Sequence, residues 1–453
     1  MGVVVNKSSP VMVKPRQPVA TDSAIKLSLL DQVHLNIPVT MLLVFEHPIN
    51  EAPPETIQRA LSQSLVHYYP ISGRIPAGAD EIQCTGEGVV FVAASADCSL
   101  EQSKLLKEET PSAASPAGAT SRTLLDDLAV YYDGDGGGCA GGPLMLVQVT
   151  EFSCGGFVVG VTWNHAVGDT AGIAQFLQAV EEMARGVSSL PSVIPNRNWD
   201  DSLVPSISPP VVAATQQKQQ KQQSTVACEP PLDLDDLVFL DVTVRSSLIN
   251  RIRAEYDLVH RSHGHSSSST PACTTFEAVV AVLWRCRTRA IMSPLTSSSS
   301  PAVLSFAVNI RKYVGADDGY YGNGIAATGQ KVISTVGAVA NGDIVDIVKA
   351  IKDAKDGIPD MLKSGNPSSK QQQVDRYSML AVSSWGNLGL DKPDFGSGGP
   401  RRVIFHAKPL ASPQPFCMMC LPWKGIDGVS VMSLYVKREH ADAFLAELAS
   451  LNT

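Results

Sequence analysis

The sequence predicts a mixed α/β protein built as a pair of similar units. Three observations carry this. Apolar runs of β type alternate with stretches of helical period along the whole chain. A Pro-, Gln- and Ser-rich segment without apolar periodicity interrupts them at 205–232. The 453 residues also exceed one ordinary core, since domains usually run to roughly 100–200 residues.

In the first unit, 1–204, residues 26–46 end in a β-type run, and "ETIQRALSQSLVHYYP" reads as an amphipathic helix stopped at Pro70. Strands follow in "GVVFVAAS", "LMLVQVTEF" and "GGFVVGVTW". In "TAGIAQFLQAVEEMARG", Ile173, Phe176, Leu177 and Val180 fall at helical spacing; Thr170 is the expected N-cap and Gly186 the C-cap. The second unit, 233–453, alternates likewise, through "LVFLDVTV", the helix "TTFEAVVAVLWRCRTRA", "LSFAVNI", "IVDIVKAIKDAKDG", "RVIFHAKP", "GVSVMSLYV" and a closing helix at 438–449. The linker between them is expected to be a mobile crossover.

The net charge of -8 argues against nucleic-acid or anionic-membrane partners, which select basic surfaces. No apolar run approaches the ~20 residues of a membrane span. The N-terminus lacks a secretory signal, and Asn6 breaks the myristoylation pattern; the expectation is a cytoplasmic protein. Nine cysteines form no framework, and "CMMC" (417–420) has no second pair at metal spacing. The Gly136-x-Gly138-x-x-Gly141 match neither follows a strand nor opens a helix, so it reads as a loop, as does the serine-flanked His263-Gly264-His265. No metal is expected. A G-x-S-x-G elbow is absent, and "DFG" at 394–396 lacks the rest of a kinase set.

What remains is "TWNHAVGDTAG" (162–172), with His165 at the end of a strand and Asp169 four residues on, not on one helical face. Taken alone, His165 fits a satisfied core histidine as well as a base; an imidazole at the open end of a strand is well placed to take a proton from a hydroxyl or amine.

Six segments in order resolve the choice. "LSLLDQ" (27–32), "HYYPISGRI" (67–75), "VQVTEFSCGGFVVGVTWNHAVGD" (147–169), "FEAVVAVLWRCR" (276–287), "VNIRK" with "YYGNG" (308–324) and "SSWGNLGLDKPDFGSGGP" (383–400) resemble the BAHD family of plant acyl-CoA-dependent acyltransferases. The resemblance runs from about residue 20 to 440. It implies two chloramphenicol-acetyltransferase-like domains of similar size joined by a long crossover loop, with a channel between them that acyl-CoA and acceptor enter from opposite ends. It implies His165 as general base, Asp169 as structural support paired with Arg311, Ser383 as a donor to the developing oxyanion and Trp385 as an aromatic wall. No acyl-enzyme is needed. Asp394, Gly396 and Gly398 belong to a structural loop. The nearest basic candidates for the CoA phosphates are Arg401, Arg402 and Lys408.

Two departures stand out. Ser397 replaces the tryptophan of D-F-G-W-G, which implies altered loop packing, and Thr170 stands where glycine usually follows the aspartate, which implies a more restricted His165 loop. The segment "ETIQRALSQSLVHYYPISGR" is similar to grass members that use benzoyl or hydroxycinnamoyl donors with arylalkyl amines or alcohols. The expected protein is a monomeric acyltransferase with acyl-CoA as co-substrate and no bound cofactor. A non-catalytic acyl-CoA-binding relative, or a hydrolase in which His165 activates water, retains the same histidine.

Overall fold

A computed structural model describes residues 3–21, 23–107, 124–132, 139–187, 189–200, 236–262, 272–292, 297–326, 331–364, 376–406, 415–421 and 424–452. The linker at 205–232, His263–His265, Gly136, Gly138 and Lys408 lie outside them. Two large sheets dominate. The first has seven strands among the described residues: β1 (Val5–Lys7), β6 (Val89–Ala96), β7 (Met145–Phe152), β8 (Phe157–Asn164), β4 (Pro38–Phe45) and β15 (Arg402–Phe405) in that order, with β2 (Val11–Val13) also on β6. The second runs β13 (Lys331–Thr335), β10 (Pro301–Phe306), β14 (Met379–Ser384), β16 (Phe416–Met419), β17 (Val429–Lys437), β9 (Leu237–Val244). Two ribbons pair β3 (Ala24–Lys26) with β5 (Glu81–Gln83) and β11 (Val308–Asn309) with β12 (Ile325–Ala326).

Parallel and antiparallel pairs mix in both sheets, as in β6–β7 and β10–β14 against β7–β8 and β16–β17. Every residue of β8 is buried, so both of its faces are covered, which explains its predominantly apolar spelling. Helices α1 (Leu29–Val33), α2 (Pro53–Ser64) and α3 (Thr170–Ala184) belong to the first half. In the second half come α4 (Ser246–Ser262), α5 (Thr275–Ile291), the short α6 (Arg311–Val314), α7 (Val336–Asn341), α8 (Ile344–Asp356), α9 (Ile358–Ser364) and α10 (Ala441–Asn452). Helix α5 opens with a capping box between Thr274 and Glu277 and is buried along nearly its whole length.

The halves are interlocked through β15, which comes from the C-terminal half and pairs antiparallel with β4 at the edge of the first sheet. The two apolar cores also meet, since Phe239, Met418 and Met432 of the second sheet pack into the cluster built on the first.

Two helix ends differ from the sequence reading. Helix α2 stops at Ser64; Pro70 instead opens a separate 3₁₀ turn at Tyr69–Ser72, where a proline near the helix start loses no needed N–H bond. The N-cap of α3 is Asp169 rather than Thr170: Asp169 is extended (φ −77, ψ 175) and its carboxylate accepts the Gly172 N–H, so Thr170 is the first helical residue. At the other end Gly186 takes the left-handed conformation (φ +65) just past the helix, as expected.

Candidate active site

Strand β8 ends at Asn164, whose side chain caps a single 3₁₀ turn, His165–Val167. Asp169 follows as the first anchor of α3, so His165 and Asp169 sit on opposite sides of a tight loop. Its two glycines are demanded by their surroundings. A Cβ on Gly172 would lie 1.9 Å from the Tyr321 carbonyl oxygen, and one on Gly168 would lie 2.3 Å from the same atom. Tyr321 therefore rides directly over the loop, and only glycine permits that approach.

Asp169 is buried and fully engaged. Arg311 grips it with two guanidinium nitrogens, at 2.8 and 2.9 Å, and the Gly324 and Gly172 N–H groups donate at 2.9 and 3.1 Å. Burial alone would raise the Asp169 carboxyl, but the Arg311 charge and these donors hold it below the usual carboxylate range. An anion so satisfied orients backbone and has no lone pair directed at the histidine ring.

The His165 backbone is clamped from both halves of the chain. Its N–H donates to the Ile37 carbonyl at 2.8 Å and its carbonyl accepts from Asn323 Nδ2 at 2.8 Å. Arg197 donates to the next carbonyl, of Ala166, at 3.0 Å. Asp31, buried on α1, ties these clamps together by accepting from Asn323 N and Nδ2 and pairing with Arg197 at 3.3 Å. The half-buried His165 ring lies face to face with that of His34, centroids 4.2 Å apart. Burial, then His34, pushes its pKa well below the ordinary imidazole range, against the opposing pull of its own carbonyl, Asp169 and Asn323. At neutral pH the ring is uncharged, the form a base requires.

Sequence reasoning placed His165, Asp169 and Arg311 and missed His34, Asp31, Asn323 and Arg197. Asp31 and Asn323 stand inside the segments "LSLLDQ" and "YYGNG", so their position in those motifs was the available signal. His34 and Arg197 carried none.

The remaining candidates stand on other elements. Half-buried Ser383 faces Met418 across the β14–β16 pair, and buried Trp385 follows β14, donating its backbone N–H to Met419 and meeting Phe405 edge to face. The 394–398 loop is far away: Phe395 packs on Phe45 and Phe157, at the end of β8 opposite His165, eight residue steps or about 26 Å along the strand direction. Asp394 accepts N–H bonds from Gly396 (2.8 Å) and Gly398 (2.7 Å), both at positive φ, which makes the loop a self-contained turn. Arg401 is near the same end, bonded to the Val44 carbonyl and ion-paired with Glu46. Arg402, expected on a phosphate, is instead an interior residue: its guanidinium meets Asp241 and the Leu105 carbonyl, which leaves no free charge to offer an anion. Burial raises the thiols of Cys417 and Cys420, keeping both protonated. Among the described residues, no helix is long and apolar enough to cross a membrane.

Comparison with known proteins gives a concordant picture. The model of a family described as "Transferase family" matches residues 3–447. "Acyl transferase 15" of Oryza sativa subsp. japonica is 43% identical, covering 100% of this chain and 99% of its own. A 3'-N-debenzoyl-2'-deoxytaxol N-benzoyltransferase of Taxus canadensis is 32% identical over 88% of this chain and 84% of its own. Among solved structures, vinorine synthase aligns over 99% of this chain and 98% of its own with a TM-score of 0.71 at 21% identity. TRI101 of F. sporotrichioides, complexed with coenzyme A and T-2, aligns over 94% and 97% with a TM-score of 0.60 at 16% identity.

Proposed function

The chain belongs to the BAHD family of acyltransferases, and from that premise we propose that it transfers an aromatic acyl group, benzoyl or hydroxycinnamoyl, from acyl-CoA to an amine or hydroxyl of a small plant metabolite. The observation that carries the chemistry is a neutral His165 at a strand end, clamped by groups from both halves, with its neighbouring carboxylate wholly engaged by Arg311.

In this reading the units 1–204 and 233–453, joined by the 205–232 crossover, enclose a channel that donor and acceptor enter from opposite ends. Nδ1 of His165 is buried, and in this reading the ring proton sits there while Nε2 presents its lone pair to the acceptor. As the acceptor oxygen or nitrogen attacks the thioester carbonyl, Nε2 takes its proton. The tetrahedral oxyanion, steadied by the Ser383 hydroxyl beside the Trp385 wall, collapses and expels CoA thiolate, which takes the proton from His165. Atoms and charge balance without a covalent enzyme intermediate. Asp169 holds geometry and relays nothing. Arg401 and Lys408 are the cations we assign to the CoA phosphates; Arg402 belongs to the interior. The relatives support an acyl donor: one is named a benzoyltransferase, two of Crocosmia x crocosmiiflora caffeoyltransferases, and the TRI101 structure holds coenzyme A.

The test is product analysis. Benzoyl-CoA and p-coumaroyl-CoA are incubated with a panel of arylalkyl amines and alcohols and the products identified by mass spectrometry. An amide or ester supports transfer, whereas free acid from every pair points to a hydrolase and no product with retained acyl-CoA binding to a carrier.

A further inference from the structure

The stacked pair of histidines is not explained by the base alone. His34 closes α1, its backbone N–H bonded to the Asp31 carbonyl, and its ring Nδ1 is 2.7 Å from the Leu30 carbonyl oxygen. A carbonyl only accepts, so Nδ1 carries the proton and Nε2 is the bare nitrogen of the neutral ring. Its ring then covers that of His165 at 4.2 Å and 20°, while Ile37, three residues on, binds the His165 N–H. The nine residues Leu29–Ile37 therefore fix the base by ring and by backbone together.

We propose that His34 is a positioning residue for the His165 base and that the two imidazoles titrate as one unit. The proposal rests on His165 being the base. Stacking opposes rotation of the His165 ring about its Cβ–Cγ bond, and at this distance a proton on one ring opposes a proton on the other. The charged groups facing the pair offset that repulsion only in part. Asp31 on α1 is bound by Arg197 and Asn323, and Asp169 at the start of α3 by Arg311; the Tyr320 and Tyr321 phenols are kept protonated by burial. Burial disfavours charge on both rings; on His34 the Leu30 carbonyl, then Asp31 and Asp169 oppose it, whereas on His165 the His34 ring adds to it. The first proton therefore goes to His34, and its charge holds off protonation of the His165 base to lower pH.

The experiment compares wild type, His34→Phe and His34→Ala, each checked for a cooperative melt, using benzoyl-CoA or p-coumaroyl-CoA with the acceptor that gives product in the panel. Phe keeps the stacked face and loses the titrating nitrogens; Ala loses both. The expected result is that kcat falls on the order of 10-fold or more in His34→Ala with little change in KM, and falls less in His34→Phe. In both variants the acid limb of kcat/KM moves to higher pH, by roughly half a unit or more, because the repulsion that lowers the His165 pKa is gone. A merely structural His34 would leave that limb in place. The proposal is overturned if both variants melt normally and keep the wild-type kcat and acid limb, or if the limb moves to lower pH. A His165→Ala variant assayed alongside separates the two ideas: if it retains full activity, the base assignment fails whatever His34 does.

Discussion

Replacing Asp169 with Asn keeps the side chain's shape and removes its charge, and the structure sets the cost. Four donors converge on the carboxylate: two Arg311 nitrogens and the N–H groups of Gly172 and Gly324, all within 3.1 Å. An amide has one oxygen to accept with and turns an NH₂ group toward the remaining donors. Removing one partner of a buried pair costs about 3–5 kcal/mol, because the other charge is left unmatched, and Arg311 here has only 17% of its side chain exposed. With an unfolding entropy of ~2.1 cal/mol/K per residue, a chain of this length gains about 1 °C of Tm per kcal/mol, so the loss is about 3–5 °C in a thermal melt. Activity falls further, on the order of 100-fold in kcat, through displacement of the His165 loop. The pH dependence has a fixed sign. A carboxylate depressed in the folded state stabilises it at pH above ~3.9, the unfolded value, and that contribution disappears as pH falls through the lower folded value. The variant lacks that acid-dependent component. The double variant Asp169→Asn with Arg311→Gln leaves no unmatched charge and should melt above Asp169→Asn alone. A single variant that melts within 1 °C of wild type, or a double variant that melts lower still, refutes the reasoning.

Other perturbations follow from the same geometry. Gly172→Ala forces a methyl against the Tyr321 carbonyl and should destabilise by about 1–3 kcal/mol with a disproportionate loss of kcat, measured by urea unfolding and initial rates. The Ser397 hydroxyl is buried without a hydrogen-bond partner, so Ser397→Ala is expected to leave activity unchanged and raise stability by up to about 1 kcal/mol; a loss in the melt contradicts the packing described. Because the His165 pKa is lowered, kcat/KM should be flat from neutrality down through the ordinary imidazole value near 6.5 and fall only in stronger acid. Below about 6.5 the unfolded chain takes up a proton that the folded ring refuses, so stability drops as pH falls, by up to about 1.4 kcal/mol per unit for this ring; His165→Gln should reduce that dependence in urea titrations.

Much of this architecture was legible in the sequence because period is a local property. The β8 run "FVVGVTWN" and the 173, 176, 177, 180 spacing of α3 announce their elements without help from the rest of the chain. The helix ends were harder. Thr170 and Asp169 are both good caps, and the choice fell to Asp169 because Arg311 and Gly324, 142 and 155 residues away, hold it extended at that position. Arg402 shows the same limit. In sequence it is one of two adjacent cations beside a glycine-rich loop; the pairing of β15 with β4 turns it inward onto Asp241. The pairing of Asp169 with Arg311 beside His165 was legible in the motifs, but the clamp of Asp31, Asn323 and Arg197 and the stacked His34 depend on bringing residues 31, 34, 165, 197 and 323 together. No spacing rule encodes such an assembly.

The central claim is that His165 is the base for acyl transfer, and CoA thiol release tests it most directly. Benzoyl-CoA or p-coumaroyl-CoA is mixed with wild type and with His165→Ala, with and without the productive acceptor. The account predicts acceptor-dependent release by wild type, an amide or ester in the product, and a rate at least about 100-fold lower in the variant. Thiol release by wild type without acceptor, or an undiminished rate in His165→Ala, would contradict it.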